Sequence, residues 1–438
     1  MQLLKTRLKD ALTHHRGLRN AKALLQHAAG VLRRDRVQDL LAYQGAESKG
    51  IERRVNPHRH GGSLLDEQAV APLLERYRQI YDGDPVLSRT LILKPPGPDG
   101  EKGVLYVAFE YNLYRLLRGL LDPAALLSRY DLVLSTSWSP TSYALLEWAL
   151  HRVPGTLYLE AGNPAEMAKL EAYHPRIKCV STMPCEWIHP GNFAPRPHAA
   201  RTYDVLMVAN WAPFKRHYEL FAALAKLPAS LKVVLIGQKE AGRTAQSIIA
   251  TARDLGAKQE LEVLESLPIQ RVREIQCDSK TAVLMSRREG SCVAAMEALF
   301  ANTPIGMRSD AHVGSRKYVN EHTGRLFNPR RGIHHELAAL LEAAPYLEPR
   351  RWAADHLSCH QAITRLNHEL KDHATGQGRR WTRDLAAMCW NPYPTYVREA
   401  DAQELRPLYE GLFQEFPGVF TSNLIAPSLS PAVELRAS

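Results

Sequence analysis

The feature that most constrains this fold is a repeated alternation of short apolar runs and amphipathic stretches between residues 104 and 301. Short apolar runs are typical of strands buried in a parallel sheet. The amphipathic stretches supply the helical crossovers that parallel strands require. A loop rich in Pro and Gly, residues 190–197, divides the alternation into two series. We therefore predict an α/β fold with two parallel-sheet domains.

Both domains are expected to be Rossmann-like, with a helical N-terminal extension and a helical C-terminal segment. The predicted domain bounds are 1–90 for the extension, 91–197 and 198–345 for the two domains, and 346–438 for helices that partly pack back on the N-terminal domain. After Trp390 we expect a tail broken by prolines. Strands are predicted at 104–109, 132–135, 156–159, 178–181, 205–209, 232–236, 261–264 and 281–285.

Composition indicates a cytoplasmic globular protein. The chain has 438 residues, of which 45% are hydrophobic, and it lacks an apolar run long enough to span a bilayer. Charged residues interrupt the N-terminus too often for a signal peptide. The six cysteines form no Cys-x-x-Cys pair, so we expect reduced thiols.

The net charge of +10 is concentrated near the N-terminus, where residues 1–36 hold nine Lys or Arg against two Asp. Leu18, Ala21, Leu25 and Ala28 recur at helical spacing there. Such a basic amphipathic segment predicts either peripheral contact with an anionic membrane or a helical extension packed on the protein with a solvated basic face. The lack of an aromatic anchor favours packing. No motif indicates nucleic-acid binding.

One segment carries the strongest chemical signal, and it begins at Glu289-Gly290. An apolar run precedes it, and a predicted helix over 292–301 follows. Gly290 permits close approach of a ligand to the backbone, and Ser291 is the expected N-cap. The N–H groups of the helix start suit an anion. These groups belong to Ser291, Cys292 and Val293.

A second carboxylate, Glu297, lies within the same predicted helix, on the order of 10 Å from Glu289 at about 1.5 Å of rise per residue. Carboxylates accept hydrogen bonds from hydroxyl groups. Together with an anion site at the helix start, they suit a sugar attached to a diphosphate. The alternative is a solvated Glu289 and a Glu297 paired with a nearby Lys or Arg.

Several motifs in the second half occur in an order that resembles the group 1 glycosyltransferases, which are retaining, nucleotide-sugar-dependent enzymes of the two-domain GT-B architecture. The resemblance covers about residues 205–329, and the first half matches only in its strand and helix rhythm. The matching segments are Val208-Ala209-Asn210-Trp211-Ala212-Pro213-Phe214-Lys215-Arg216-His217, Glu289-Gly290 to Glu297-Ala298-Leu299, Asn302-Thr303-Pro304 and Thr323-Gly324-Arg325-Leu326.

The resemblance implies a donor domain at 198–345 and an acceptor domain at 91–197. Glu289 would contact donor-sugar hydroxyls, the backbone from Gly290 to Val293 would meet sugar and phosphate, and Glu297 would bind the ribose. Lys215 matches the lysine that binds the diphosphate, and an ammonium there stabilises the charge that develops on the leaving group. Arg216 would assist or form a salt bridge to a helix carboxylate. No metal or other cofactor is then required.

The chain departs from the family pattern at two positions. Asn210 stands where the family has an arginine, and Arg287 or Arg288 would have to replace that cation. Glu160 stands where the family tends to have a histidine near the reacting sugar carbon. A carboxylate there would orient the acceptor or act as its base, or it is a strand-end residue with a structural partner.

These features predict an enzyme that moves a sugar from a nucleotide-diphosphate-sugar to an acceptor hydroxyl with retention. A glycan or lipid-linked glycan in polysaccharide biosynthesis is the expected acceptor, and a hexose the expected sugar. One alternative is a catalytically degenerate GT-B protein that binds a nucleotide sugar, which Asn210 and Glu160 favour. Another is a sugar-nucleotide epimerase.

Overall fold

A computed structural model describes residues 8, 10–59, 61–81, 90–391 and 393–420. In this part of the chain the residues form two compact units. The first unit takes the described residues up to Ser181, with Lys371–Leu385 and the residues from Glu404 onward. The second unit takes Thr182–Leu370 and Ala386–Gln403. The division therefore lies ahead of the 190–197 loop, and the C-terminal segment is shared between the units.

The first unit is built on a sheet of five described strands in the order β1-β2-β3-β4-β5. Strand β1 pairs antiparallel with β2, and the other pairs are parallel. Because Ala108, Ser135 and Glu160 are in register, polar residues meet at the carboxyl edge of this sheet. The strands are β1 Thr90–Lys94, β2 Gly103–Ala108, β3 Tyr130–Ser135, β4 Leu157–Glu160 and β5 Ile177–Val180.

The helices of the first unit fall into an N-terminal group before β1 and a group that connects the strands. The N-terminal helices are α1 Arg16–Arg33, α2 Arg36–Gly45, α3 Lys49–Val55, α4 Glu67–Val70 and α5 Glu75–Tyr81. The connecting helices are α6 Glu110–Gly119, α7 Pro123–Leu127, α8 Tyr143–Arg152 and α9 Pro164–Glu171.

The second unit contains a fully parallel sheet whose described strands run β11-β10-β9-β6-β7-β8. Chain order reverses between β6 and β9, which are neighbours, and open α/β sheets bind ligands outside the carboxyl ends of strands at such a point. The strands are β6 Tyr203–Val208, β7 Lys232–Gly237, β8 Glu260–Glu265, β9 Ser279–Leu284, β10 Ile305–Arg308 and β11 Gly324–Phe327.

Helices cover both faces of this sheet. Val205 and Met207 pack into one apolar cluster, whereas Leu206 between them packs into the other, as the two-residue period of a strand requires. Burial on both faces explains the continuous apolar runs in the sequence. The helices are α10 His217–Leu224, α11 Ala245–Asp254, α12 Ile269–Cys277, α13 Val293–Phe300, α14 Ile333–Ala343 and α15 Pro349–His356.

The remaining elements are a short hairpin and two helices. Strands β12 Met388–Trp390 and β13 Pro394–Tyr396 pair antiparallel. Helices α16 Cys359–Gly376 and α17 Glu399–Glu415 each contribute residues to both units. None of the helices among the described residues is both long and apolar enough to cross a membrane.

The predicted fold class, with two parallel-sheet domains and N-terminal helices, is confirmed, and each predicted strand agrees with an observed one to within two residues. The expectation of a tail broken by prolines after Trp390 is wrong, because α17 continues through Pro407. Burial of Leu405, Tyr409 and Leu412 holds this helix, and the Tyr409 hydroxyl accepts a hydrogen bond from the Ile92 N–H at 2.7 Å.

Candidate active site

The candidate site lies at the point where strand order reverses in the second unit. Lys215 ends a single helical turn, Pro213–Lys215, in the loop that follows β6. Glu289 lies in the loop that follows the neighbouring strand β9. The parallel register of β6 and β9 brings the two loops to the same edge of the sheet, although the two residues are far apart in the chain.

A cavity of about 550 Å³ opens at this edge, a volume suited to a ligand of nucleotide size. Six of the predicted donor-site residues line it, together with residues from β7, α12 and the β12–β13 hairpin. The lining residues are Val208, Ala209, Asn210, Lys215, Ile236, Gly237, Gln238, Leu267, Ile269, Val272, Glu289, Cys292, Val293, Ala294, Glu297 and Tyr393.

Lys215 and Glu289 form an ion pair in the cavity wall. Lys215 Nζ donates to Glu289 Oε2 at 2.6 Å, and the two side chains are only 13% and 8% exposed. Burial on its own lowers the pKa of the Lys215 ammonium, but the adjacent carboxylate of Glu289 outweighs burial and raises this pKa above its usual value. Glu289 Oε1 is buried and accepts no hydrogen bond within the described residues, so this oxygen keeps an unused capacity to accept one.

The start of α13 differs from the prediction. The N-cap is Cys292, with φ 57° and ψ 81°, and the helix begins at Val293, so the assignment of Ser291 as N-cap is wrong. Ser291 instead contacts the loop after β10, because its carbonyl accepts a hydrogen bond from the Ser315 N–H at 3.1 Å. The Gly290 carbonyl accepts from the Gly314 N–H at 2.8 Å. The left-handed Cys292 turns the chain into the helix, whose first N–H groups have no intrahelical partner.

Glu297 reaches the cavity from the second turn of α13. Burial raises the pKa of its carboxyl group, and the charge of Arg273 and a hydrogen bond from Gln276 oppose this shift. Gln276 Nε2 donates to Glu297 Oε2 at 3.4 Å, while Gln276 Oε1 is buried with no hydrogen-bond partner among the described residues. Glu297 and Gln276 therefore form a buried polar pair at the cavity.

Arg216 does not line the cavity, which corrects its assignment to the donor site. Its backbone is left-handed, with φ 59°, and its side chain is 4% exposed. Its guanidinium bonds to Glu219 of α10, which also binds Arg308 at the end of β10. The salt bridge to a helix carboxylate, the alternative reading of the sequence, is the observed arrangement.

The place of the family arginine is occupied by Asn210, which lines the cavity. Its Oδ1 accepts from the Ala212 N–H at 3.4 Å. Arg287, one of the suggested substitutes, lies 3.4 Å from a carboxylate oxygen of Asp310. Arg288 faces His312 through a backbone bridge. Neither arginine lines the cavity.

A different cation, Arg243, which the sequence analysis missed, contacts the loop after β6, although like Arg287 and Arg288 it does not line the cavity. Arg243 follows β7, and its Nη1 donates to the Trp211 carbonyl at 3.3 Å. Among the described residues it has no carboxylate partner. Its charge also acts on His217: burial, then Arg243, then Lys215 lower the pKa of that imidazole to about 3. The positive charges of Arg243 and Lys215 therefore both act on His217, which follows the loop after β6.

Some residues that do line the cavity were also missing from the sequence analysis. Gly237 ends β7, where a Cβ atom would lie 2.4 Å from the Ala209 carbonyl oxygen and 2.6 Å from the Trp211 ring. A glycine that follows an apolar strand was the signal available for it. Tyr393 comes from the β12–β13 hairpin, about 100 residues beyond the other lining positions, and nothing near it in sequence indicated the site.

Glu160 lies in the first unit at the end of β4 and is fully buried. The Tyr106 hydroxyl donates to its Oε2 at 2.9 Å, and its carbonyl accepts from the Thr136 side chain at 2.8 Å. Glu160 thus has the partner that a structural role requires. Its role toward an acceptor stays a prediction.

Comparison with known proteins gives one family match and several distant structural resemblances. The family model described as "Glycosyl transferases group 1" matches residues 192–352. The chain resembles TarM from S. aureus at 13% identity, with a TM-score of 0.45 over 58% of this chain and 57% of TarM. The chain resembles HepE from Anabaena at 13% identity, with a TM-score of 0.48 over 70% of this chain and 82% of HepE. It resembles sucrose-phosphate synthase from Thermosynechococcus elongatus at 12% identity, with a TM-score of 0.49 over 71% of this chain and 79% of the synthase.

The chain thus spans little more than half the length of TarM. A comparison with curated proteins found no significant match. The family match covers the whole parallel sheet of the second unit and every predicted donor-site residue. Residues 192–352, which contain the second parallel sheet and the candidate site, thus match the family of group 1 glycosyl transferases.

Proposed function

We propose that the protein transfers a sugar, a hexose by expectation, from a nucleotide-diphosphate-sugar to an acceptor hydroxyl with retention at the anomeric carbon. One observation carries the proposal: Lys215, Glu289 and Glu297 line a single cavity at the reversal of strand order. A cation, a carboxylate oxygen with no hydrogen-bond partner among the described residues and a buried polar pair there match the diphosphate, the sugar and the ribose of one donor.

Lys215 would hold the diphosphate. Its raised pKa keeps the ammonium charged at neutral pH, and the low exposure of the pair strengthens electrostatic interactions in the site. When the bond between the sugar and the diphosphate breaks, negative charge grows on the leaving oxygen. A fixed ammonium stabilises that charge more in the transition state than in the ground state. The first N–H groups of α13 would add to this stabilisation.

Glu289 and Glu297 would hold the two ends of the donor. Glu289 Oε1, which lacks a partner among the described residues, would accept a hydrogen bond from a sugar hydroxyl. Glu297 would accept from the ribose, and Gln276 Oε1 offers a second acceptor beside it. Hydroxyl donors would also favour the ionised form of Glu297, which burial disfavours in the free protein.

We further propose that no metal is needed, because Lys215 and the start of α13 can neutralise the diphosphate. A glycan or lipid-linked glycan on the cytoplasmic side is the proposed acceptor, with Glu160 as its orienting group or base. Glu160→Gln should reduce the transfer rate and leave nucleotide affinity unchanged. Tyr106→Phe, which removes only the hydroxyl that Glu160 binds, is the matched control for a structural role.

A thermal-unfolding screen against UDP, GDP, ADP and their sugars tests the donor site. A ligand at about 100 times its Kd adds about 2.7 kcal/mol to the free energy of unfolding. The nucleotide found this way then serves in transfer assays of Lys215→Ala and Glu297→Ala, which should bind it weakly and transfer poorly. Full activity of either variant would exclude this site.

Asn210 in the cavity wall and the buried Glu160 favour one second candidate, a degenerate protein that binds a nucleotide sugar without turnover. Tight nucleotide binding with neither transfer nor hydrolysis would support it. Release of an epimerised nucleotide sugar in the absence of acceptor would instead indicate an epimerase.

A further inference from the structure

Helix α1 turns its polar side toward the protein. Asn20 Oδ1 accepts from the Glu47 N–H at 2.8 Å, and His27 Nδ1 lies 2.8 Å from Asp39 Oδ1 of α2. Between these contacts Ala23 and Gly30 are buried. A Cβ atom on Gly30 would lie 2.9 Å from the Asp35 carbonyl oxygen, so α1 and α2 approach closely. The side of α1 that faces the protein is therefore held by polar groups and small residues.

The opposite side of α1 carries a row of exposed leucines. Leu18, Leu25 and Leu32 are 48%, 72% and 85% exposed. They are spaced seven residues apart, which is close to two helical turns at about 3.6 residues per turn, so they share one side. Ala21 and Ala28 lie on the same side and are also exposed. This arrangement is the reverse of an ordinary surface helix, which buries its apolar side against the core.

A basic row runs beside the leucines. Lys22 and Arg33 are eleven residues apart, close to three turns at about 3.6 residues per turn, and Arg34 caps the helix end in a left-handed conformation. All three side chains are exposed. In the part of the chain that the structure describes, none of them forms an ion pair. The exposed apolar side thus has an uncompensated positive border.

We infer that this side of α1 docks on the surface of an anionic lipid bilayer. A helix that lies in the interface buries its apolar side among the acyl chains and places Lys and Arg against lipid phosphates. An anionic bilayer surface therefore offers acyl chains to the leucine row and phosphate groups to its basic border. The inference concerns where the protein acts and is independent of the donor site, which lies in the second unit.

Charge argues against two other occupants. In a two-fold dimer through this face, each copy would present the same basic row to its partner, because such an interface uses one patch twice. The C-terminal residues 421–438 contain one acidic side chain, Glu434, and one basic side chain, Arg436, so their side chains offer no net negative charge. An anionic lipid surface complements both features of the face.

Sedimentation of the full-length protein with vesicles tests the inference. We expect binding to vesicles of equal parts phosphatidylglycerol and phosphatidylcholine, weak binding to phosphatidylcholine alone, and loss of binding at high salt. The combined variant Leu18→Gln, Leu25→Gln, Leu32→Gln should lose binding at every salt concentration. Leu121→Gln is the matched control, since Leu121 is a fully exposed leucine that does not belong to this helix, and the variant should bind as the wild type does.

The charge variant Lys22→Gln, Arg33→Gln, Arg34→Gln separates the basic row from the leucines. Each basic residue near an anionic surface is worth about fivefold in partitioning, so the triple variant should bind about 100-fold more weakly at low salt. All substituted side chains are exposed, so thermal unfolding should be unchanged, which checks that the variants fold.

Three results would overturn the inference. The first is absence of wild-type binding to anionic vesicles at low salt. The second is unchanged binding by the triple leucine variant, or an equal loss with Leu121→Gln. The third is a wild-type dimer that the triple leucine variant dissociates, without vesicle binding by either protein, which would assign the face to a second copy. Transfer to a soluble acceptor does not enter any of these readouts, so failure of the donor-site proposal would be recognised separately.

Discussion

Lys215 Nζ donates to Glu289 Oε2 at 2.6 Å across 74 positions of the chain. The contact joins the loop after β6 to the loop after β9, and it leaves the other oxygen of Glu289 without a protein partner among the described residues. One carboxylate thus serves two purposes in the proposed site: it keeps the diphosphate-binding lysine charged and offers an acceptor to the sugar.

The first prediction concerns the pH dependence of this pair. Glu289 raises the pKa of Lys215, whereas burial lowers it. In Glu289→Gln the largest effect that opposes burial is lost, so Lys215 should lose its proton at lower pH than in the wild type. Nucleotide affinity of the variant should therefore decline as the pH rises from 7 toward 10.

Calorimetric titration across that pH range measures the effect, with the nucleotide identified by the unfolding screen. In the wild type, a raised folded-state pKa means that the stabilisation from the Lys215 charge is fully present below the unfolded value of 10.5 and is lost above the folded value. Wild-type affinity should therefore be insensitive to Lys215 below pH 10.5. Parallel pH profiles for the two proteins would contradict this account.

The second prediction separates function from stability at Glu297. Its pKa is raised by burial, so ionisation at neutral pH costs the folded state free energy. The stabilising effect of a raised carboxyl pKa is complete below the unfolded value of 4.5 and disappears as the pH rises through the folded value. Glu297→Gln should therefore be at least as stable as the wild type at pH 7.

The same variant should bind nucleotide about 10-fold to 100-fold more weakly, because a hydrogen bond to a charged group contributes about 1.5–3 kcal/mol. Urea unfolding and calorimetric titration measure the two quantities on one preparation. A variant that is destabilised at pH 7 and keeps full nucleotide affinity would place Glu297 among the structural residues.

The third prediction assigns to Arg243 the cation that Asn210 does not supply. Arg243 lacks a carboxylate partner within the described residues, and it donates to the Trp211 carbonyl in the loop that also carries the cavity residues Asn210 and Lys215. Arg243→Gln should weaken binding of the nucleoside diphosphate about 10-fold, as expected for one charge-assisted contact. Binding of the matching nucleoside, which has no phosphate, should not change. Arg243→Lys should restore part of the diphosphate affinity.

Arg216→Gln is the matched control for this experiment. Arg216 is buried and bound to Glu219, so its loss should lower the unfolding temperature without changing the ratio of diphosphate to nucleoside affinity. If instead Arg216→Gln changes that ratio and Arg243→Gln does not, the two assignments are reversed.

The fourth prediction concerns Gly237, which lines the cavity at the end of β7. A methyl group there would meet the Ala209 carbonyl and the Trp211 ring, neither of which can move without shifting the β6 loop. Gly237→Ala should lower the free energy of unfolding by about 1–3 kcal/mol, as overpacking does, and should weaken nucleotide binding. Gly155→Ala is the control, because nothing lies within 4 Å of its Cβ position. Equal behaviour of the two variants in urea unfolding would contradict the predicted crowding.

Most strands of the fold were predictable from the sequence, because a strand that is buried on both faces of a sheet needs a continuous run of apolar residues. Strand β6, with Val205 and Leu206 in opposite clusters, is an example. Edge elements carry weaker signals. Strand β1, antiparallel at the sheet edge, and helix α17, whose Pro407 suggested a break, were missed because tertiary contacts hold them.

Residues of the candidate site were predictable where a motif places them in the loop after a strand, as for Lys215 and Glu289, which both line the cavity. Side-chain direction was not predictable from neighbours in sequence. Arg216, the residue after Lys215, points to Glu219 because a left-handed backbone redirects it. Arg243 contacts the loop after β6, and Tyr393 lines the cavity, only through the folded chain, so no local pattern marked them.

The reversal of strand order between β6 and β9 has a consequence for how such a site can vary. The cleft exists because the connections leave these two strands in opposite directions, and no individual side chain is needed to keep it open. Asn210 illustrates this tolerance: the residue differs from the family pattern, yet the cleft remains. Topology therefore decides where a ligand binds, and the loops are left to decide which ligand it is.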